Sequence, residues 1–269
     1  MPSLRSIRRR RATISRFLLF VLALSFLLIS TQSRWESQTI STDLKNATSV
    51  LWVIAHPDDE SFFFAPSILN LLNEERGVRG SLLCLSIGDY EGVGAIRKME
   101  LQESCATLGI ESSRCSAINH PQLQDSPTAD WPGSVIKEIV KQHVDEWGVD
   151  AIITFDGYGV SGHANHRSLY EHLSAAKQDE AFETPVYSVR SSNVLAKYTS
   201  LLLLPFALLK HFLSSTLQSS STSSLFVSSF DHYARARQSF KAHQSQSRWF
   251  RTLFVSASRY LWYVQVDRV

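Results

Sequence analysis

Along residues 49–189 short apolar runs alternate with stretches whose apolar residues recur at helical spacing. Ser49–Ala55 (SVLWVIA) is apolar nearly throughout and of strand length. A helical stretch over Phe62–Asn73 ends near Gly77, and Ser81–Ile87 (SLLCLSI) is the second strand. The spacing predicts a helix over Ala95–Leu108, closed by Gly109, and a weaker strand at Cys115–Asn119. In Ser134–Trp147 the residues Val135, Ile136, Ile139, Val140 and Val144 keep the 3.6-residue period, and Gly148 stops the helix. Ala151–Phe155 is the next strand, about Ala164 to Lys177 a helix, and Val186–Val189 a further strand.

Strands without a polar face must be covered on both sides. Alternating with helices, they predict an α/β fold: a Rossmann-like, mostly parallel sheet with helices on both faces. Right-handed crossovers gather the strand C-terminal ends along one edge, where open α/β sheets bind their ligands. HPDDE rather than a glycine-rich turn follows the first strand, which argues against a dinucleotide cofactor.

The flanks break this pattern. Between Arg16 and Arg34 lie 17 uncharged residues, FLLFVLALSFLLISTQS. As a helix at about 1.5 Å per residue they span roughly 26 Å, close to the ~27 Å hydrocarbon of the endoplasmic reticulum bilayer. The following ISTQSRWE lacks a small-x-small cleavage pattern, so the segment reads as an anchor rather than a signal peptide. The expected organisation is a basic segment 1–16, a transmembrane anchor 17–33, a polar linker 34–48, and a single domain 49–269. Within the domain, residues 198–229 look like an insert. Tyr198–Leu209 is apolar, broken by Pro205 and too short to span a bilayer, which leaves a buried segment or a monotopic membrane contact. Ser214–Ser224 is serine-rich and reads as a flexible loop. The arginines and aromatics of Arg248–Val264 suit a membrane interface or a packed C-terminal helix.

Charge follows the same division. Residues 1–34 carry seven arginines and no acid, leaving 20 basic against 25 acidic side chains in residues 35–269. The main domain is therefore acidic, and nucleic acid is not its partner. The arginine cluster favours a cytosolic N-terminus and a lumenal domain, the side on which the sequon Asn46-Ala-Thr48 could be glycosylated. Cys84, Cys105 and Cys115 show no metal-ligand spacing and no disulfide framework, and read as small buried thiols.

Two motifs carry candidate chemistry, and both fall at strand C-terminal ends. HPDDE supplies a histidine and acids after Ser49–Ala55, and FDGYGVSGHANH supplies His163 and His166 after Ala151–Phe155. Any one of Asp58, Asp59 and Glu60 could simply cap the following helix. Together at one sheet edge, two imidazoles three residues apart, a third imidazole and a carboxylate have the make-up of a catalytic divalent-metal site with an open position. Glu60 is read as a scaffold acid.

AHPDDE after a first strand and GVSGHANH about 100 residues later resemble the N-acetylglucosaminyl-phosphatidylinositol de-N-acetylases, within a wider family of zinc-dependent deacetylases of N-acetylglucosamine conjugates. GDYEGVGAIRKMEL (Gly88–Leu101) and HQSQSRWFRTLFVSASRY (His243–Tyr260) match the eukaryotic membrane enzymes, whereas about 195–240 matches poorly. The resemblance implies that His56, Asp59 and His166 hold a divalent metal, zinc in this family. It also implies that Asp58 is the general base, and that His163 stabilises the oxyanion or protonates the leaving amine. Arg97 is a candidate for the inositol phosphate, since arginine grips phosphate bidentately, and Asp89 for a sugar contact. His243 matches a family position of unassigned role. The implied reaction releases acetate from N-acetylglucosaminyl-phosphatidylinositol, the second step of glycosylphosphatidylinositol anchor synthesis. The implied setting is the endoplasmic reticulum membrane, with a single pass and a cytosolic catalytic domain; its partners are the lipid-linked amino sugar and membrane lipid, with protein partners unspecified. The alternatives are a deacetylase of a soluble N-acetylglucosamine conjugate and a non-catalytic membrane protein with a structural metal site.

Overall fold

The structure, a computed structural model, describes residues 4–73, 76–178, 183–217 and 222–269. In chain order its elements are α1 (Leu4–Ser30), α2 (Thr42–Asn46), β1 (Ser49–Ile54), α3 (Ala65–Leu71), β2 (Arg79–Cys84), α4 (Gly94–Leu108), β3 (Cys115–Ala117), α5 (Gly133–Trp147) and β4 (Ala151–Phe155). They continue with α6 (Gly159–Gly162), α7 (Ala164–Gln178), β5 (Val186–Val189), α8 (Val194–Lys197), α9 (Leu204–Leu217), β6 (Ser223–Val227), α10 (Phe230–Ala242), α11 (Trp249–Ala257) and β7 (Tyr263–Arg268).

All seven strands join one sheet of order β3-β2-β1-β4-β5-β7-β6. The first five run parallel, and β7 lies antiparallel between β5 and β6. Trp52 of β1 sits opposite Leu82 on one side and Ile153 on the other. Every residue of β1 and β4 is buried, which is why those runs lack polar alternation. Fully burying each such aliphatic side chain contributes about 1.5–3 kcal/mol. Crossovers run one way from β1 through β2 to β3, then back past β1 to β4 and β5. Right-handedness therefore places α3 and α4 on one face and α5 and α7 on the other. In keeping with this, α3 and α4 pack with α10, and α5 packs with α7.

The sheet matches the expected class, with differences at its margins. The second strand begins at Arg79, two residues early, and β3 stops at Ala117. The helix after β1 opens with a wide π-type turn over Glu60–Phe64 before α3. Cys105 and Cys115 form a disulfide, correcting the reading of both as thiols; Cys84 is the free, buried one among the described residues. Helix packing across the intervening turn brings them together, and no spacing rule foretells that.

The flanks are more integrated than the sequence suggests. Helix α1 includes Arg8–Ser30, 23 residues long and apolar enough to cross a membrane. Its Ser25 Oγ donates to Leu201 O at 2.9 Å, and Val21 and Ile29 are buried against the body. The linker is ordered: Ser41 N donates to Ser224 Oγ, and Gln32 donates to Asn70 and Val227 O. The 198–229 segment supplies α9 and the edge strand β6. The serine-rich stretch is helical through Leu217 and a strand from Ser223, while 218–221 lie outside the described residues.

Candidate active site

Strand order reverses between β1 and β4, and their C-terminal ends open the crevice in which such sheets bind ligands. HPDDE leaves β1 there and GVSGHANH leaves β4 through the short α6. Leaving β1, Asp58 has a φ of 120°, a conformation costly for a non-glycine residue. Glu60 stabilises it: its Oε2 accepts the Asp58 N–H at 3.0 Å. The other oxygen, Oε1, accepts from Ser61 Oγ, from Ser104 Oγ at 2.6 Å and from His243 Nε2 at 2.6 Å. Glu60 and His243 are both fully buried. Burial pushes the Glu60 carboxyl up, but His243 outweighs it and holds it below its ordinary value. Burial likewise pushes His243 down, and Glu60 more than reverses this, raising it. The scaffold reading of Glu60 thus acquires a partner, and the tail residue His243 acquires a role.

His163 immediately precedes α7 and His166 lies in its first turn. His166 Nδ1 donates to Gly159 O at 3.0 Å, which leaves Nε2 as the free acceptor. His56 Nε2 faces Asp125 Oδ1 at 3.2 Å and Asn165 Oδ1 at 3.1 Å, which leaves its Nδ1 free in the same way. The two free nitrogens are 3.4 Å apart. Asp59 Oδ1 lies 3.4 Å from His166 Nε2, and Asp59 Oδ2 lies 3.8 Å from His56 Nδ1. Zinc bound at about 2.0–2.1 Å gives tetrahedral edges of about 3.3–3.4 Å. Two imidazole nitrogens, one carboxylate and these separations fit a divalent metal. A third imidazole, His163, has a ligand atom within 4.8 Å of those of His56 and His166, and its buried Nδ1 lacks a hydrogen-bond partner.

Electrostatics separates the adjacent acids. Burial pushes Asp59 up, but His166 and His56 outweigh it and hold the carboxyl far below its usual range. Burial raises the Asp58 carboxyl, only partly offset by Arg251 and Arg97. Asp58 Oδ2 is paired with Arg251 of α11 and lies 3.7 Å from Arg97. For His56, burial lowers the imidazole, and the bond to Asp125 together with Asp59 raises it overall. His163 is pushed down to about 4, by burial and then by His56 and His166.

These groups line an open cavity of about 510 Å³ together with Lys197, Phe62, Phe63 and Phe254. Of the residues singled out from sequence, His56, Asp58, Asp59, His163, His166 and Arg97 come together here. Arg97, however, already donates to Gly88 O and Pro57 O and pairs with Asp125, so it ties the HPDD turn to the neighbouring loops. Asp89 is exposed, accepts the Gly94 N–H and does not line the cavity. Sequence reasoning missed Asp125, Asn165, Lys197 and Arg251. Asn165 stood inside GHANH, and Asp125 in the β3–α5 connection at the ligand edge. Arg251 lay in the family-matching stretch His243–Tyr260 without being singled out, and nothing local marked Lys197.

A histidine–carboxylate centre at the switch point of a Rossmann-like sheet is the make-up of an α/β enzyme site that could hold a divalent metal. A family model described as PIG-L: GlcNAc-PI de-N-acetylase matches residues 51–177. The chain is 37% identical over 213 residues to the N-acetylglucosaminyl-phosphatidylinositol de-N-acetylase of Bos taurus, covering 78% of this chain and 79% of the bovine protein. It is 34% identical to a probable enzyme of the same name from Schizosaccharomyces pombe, over 68% of this chain and 71% of that one. Among solved structures, the N,N'-diacetylchitobiose deacetylase of Pyrococcus horikoshii shares the fold, with a TM-score of 0.53, 17% identity, and coverage of 78% of this chain and 77% of that one. The chain belongs to the GlcNAc-PI de-N-acetylase family.

Proposed function

We propose that this membrane protein hydrolyses the acetamide of N-acetylglucosaminyl-phosphatidylinositol, giving glucosaminyl-phosphatidylinositol and acetate. The observation that carries the reading is the convergence of His56 Nδ1, His166 Nε2 and the Asp59 carboxylate beside a second, separately held carboxylate, Asp58. His56, Asp59 and His166 would hold the metal, which we take to be zinc from the nitrogen and oxygen donors. When bound, it supplies Lewis-acid polarisation of water and of the amide carbonyl.

The side chains do the rest. Asp58 takes a proton from the attacking water as the oxygen–carbon bond forms, then delivers it to the departing nitrogen as the carbon–nitrogen bond breaks. Its burial-raised carboxyl suits both transfers. With its pKa lowered to about 4, His163 is neutral near pH 7, so it acts by donating a hydrogen bond to the developing oxyanion rather than by giving up a proton. Arg97 holds the HPDD turn in place. Arg251, paired with Asp58, and Lys197, bonded to Val160 O, bring positive charge into the cavity wall. We place the protein in the endoplasmic reticulum membrane with its catalytic domain facing the cytosol, the setting of the family it resembles.

Membranes containing full-length protein test this directly, by release of acetate from the lipid. Asp58→Asn should cut kcat/KM by about 10²–10⁴-fold with metal content unchanged. His166→Ala should lose both metal and activity, and a chelator should abolish activity that added zinc restores. Full activity in both variants would end this assignment, and equal turnover of a water-soluble N-acetylglucosaminide would remove the lipid from it.

A further inference from the structure

Helices α8, α9 and α11 carry apolar side chains left exposed among the described residues. Helix α9 buries Leu204 and Leu208 on one side, while Leu209 and Leu213 on the other are 58% and 57% exposed. On α11, Phe254 packs against Phe62 and Phe63, and Val255 is buried. Trp249, 80% exposed, lies with Phe250 and Leu253 at the open rim of the active-site cavity. Leu195 of α8 is 84% exposed.

These surfaces connect physically to the candidate membrane helix. Ser25 Oγ of α1 donates to Leu201 O just before α9. Ser200 N donates to Ala257 O at the end of α11. The Tyr198 and Phe254 rings meet at 5.9 Å. Between α1 and α9 runs an apolar groove of about 490 Å³, lined by Phe17, Phe20, Leu24, Phe206, Leu209 and Phe212. The charged side chains of α8, α9 and α11 are all basic: Lys197, Lys210 and Arg251. Lys197 and Arg251 turn into the cavity, which leaves apolar outer faces with the exposed Lys210 and no acid, compatible with a leaflet surface.

We propose that the outer faces of α8, α9 and α11 rest in the bilayer leaflet that α1 enters, so that the active-site cavity opens at the membrane surface. Helix α11 then has two roles. Arg251 reaches into the cavity, and the exposed Trp249, Phe250 and Leu253 at its rim meet lipid chains. A lipid-linked headgroup reaches the histidines without leaving the bilayer, and the groove beside α1 takes an acyl chain. The docking rests on α1 crossing a bilayer and not on the reaction assigned to the site.

The test uses full-length protein in phosphatidylcholine–phosphatidylinositol nanodiscs, with a nitroxide on single cysteines replacing Leu209, Leu213 or Leu253. Leu19 on α1 serves as the lipid reference and Gln142 on exposed α5 as the aqueous one. Collisions with lipid-soluble oxygen should exceed those with a water-soluble nickel chelate at 209, 213 and 253, as at 19, and the order should reverse at 142. Nickel access at 213 and 253 equal to that at 142 would overturn the docking, and so would loss of access to both reagents, which signals a covering protein. A kinetic arm separates docking from chemistry. Leu195→Gln with Leu213→Gln should raise KM for bilayer-embedded substrate several-fold, with kcat and turnover of a short-chain soluble analogue kept. An unchanged KM would count against docking.

Discussion

Asp58, Asp59 and Glu60 are three neighbouring carboxylates in three different environments, and this is what allows one short stretch to hold, react and support. Asp59 is stabilised as the anion by two histidines, Asp58 is desolvated between two arginines, and Glu60 is buried against His243. The last pair makes a pH prediction. Glu60, lowered from 4.5, stabilises the fold above about pH 4.5 and loses that contribution as pH falls through its folded pKa. His243, raised from 6.5, stabilises fully below about pH 6.5 and loses its contribution as pH rises through its folded pKa. The two contributions overlap fully between those values. His243→Gln should therefore destabilise by about 3–5 kcal/mol in that window, where it leaves a buried carboxylate unpaired. Thermal unfolding of wild type and variant across pH 4–9 should show the gap narrowing at both ends. A pH-independent gap would mean that the pair is not ionised.

At the scale of elements, the turns at strand ends place the groups. Gly159 has φ +64°, and a Cβ there would meet His166 Cβ at 2.6 Å and the Arg167 backbone nitrogen at 3.2 Å. Gly92 has φ +74° with nothing within 4 Å. Gly92→Ala should therefore cost only the left-handed strain, about 1–2 kcal/mol. Gly159→Ala should add displacement of His166 and loss of the Gly159 carbonyl from its Nδ1, weakening metal affinity by about 10–100-fold. Competition titration against a chromophoric chelator, run beside thermal unfolding, separates the two effects. Equal metal affinity in both variants would show that the turn does not position His166. Element boundaries were mostly legible because period and stop signals are local: Gly109 and Gly148 end α4 and α5 as read. The wide turn at Glu60–Phe64 was not, since side chains from distant segments hold it open.

For the whole molecule, orientation is where charge pattern and fold point one way and the setting of the family points the other. The arginine run, the exposed Asn46 and the Cys105–Cys115 bridge all favour an oxidising lumen. The proposed cytosolic placement makes a joint prediction: Asn46 carries no glycan, and the Cys105–Cys115 bridge that the fold allows is held reduced in the cell, so both cysteines are alkylated after rapid denaturation. A mobility shift on glycosidase treatment, with both cysteines protected, would place the domain in the lumen.

By itself the sequence determined the class of fold and the two motifs. Buried parallel strands must be apolar throughout, helices must keep their period, and HPDDE and GHANH must follow strands to reach the ligand edge. Tertiary structure decided the pairings. Asn165 and Asp125 orient His56 from 109 and 69 positions along the chain, His243 supports Glu60 across 183, and Arg251 meets Asp58 across 193. Between residues so far apart no local period or spacing survives. Only packing α10 and α11 over the sheet edge brings those charges within reach of the site.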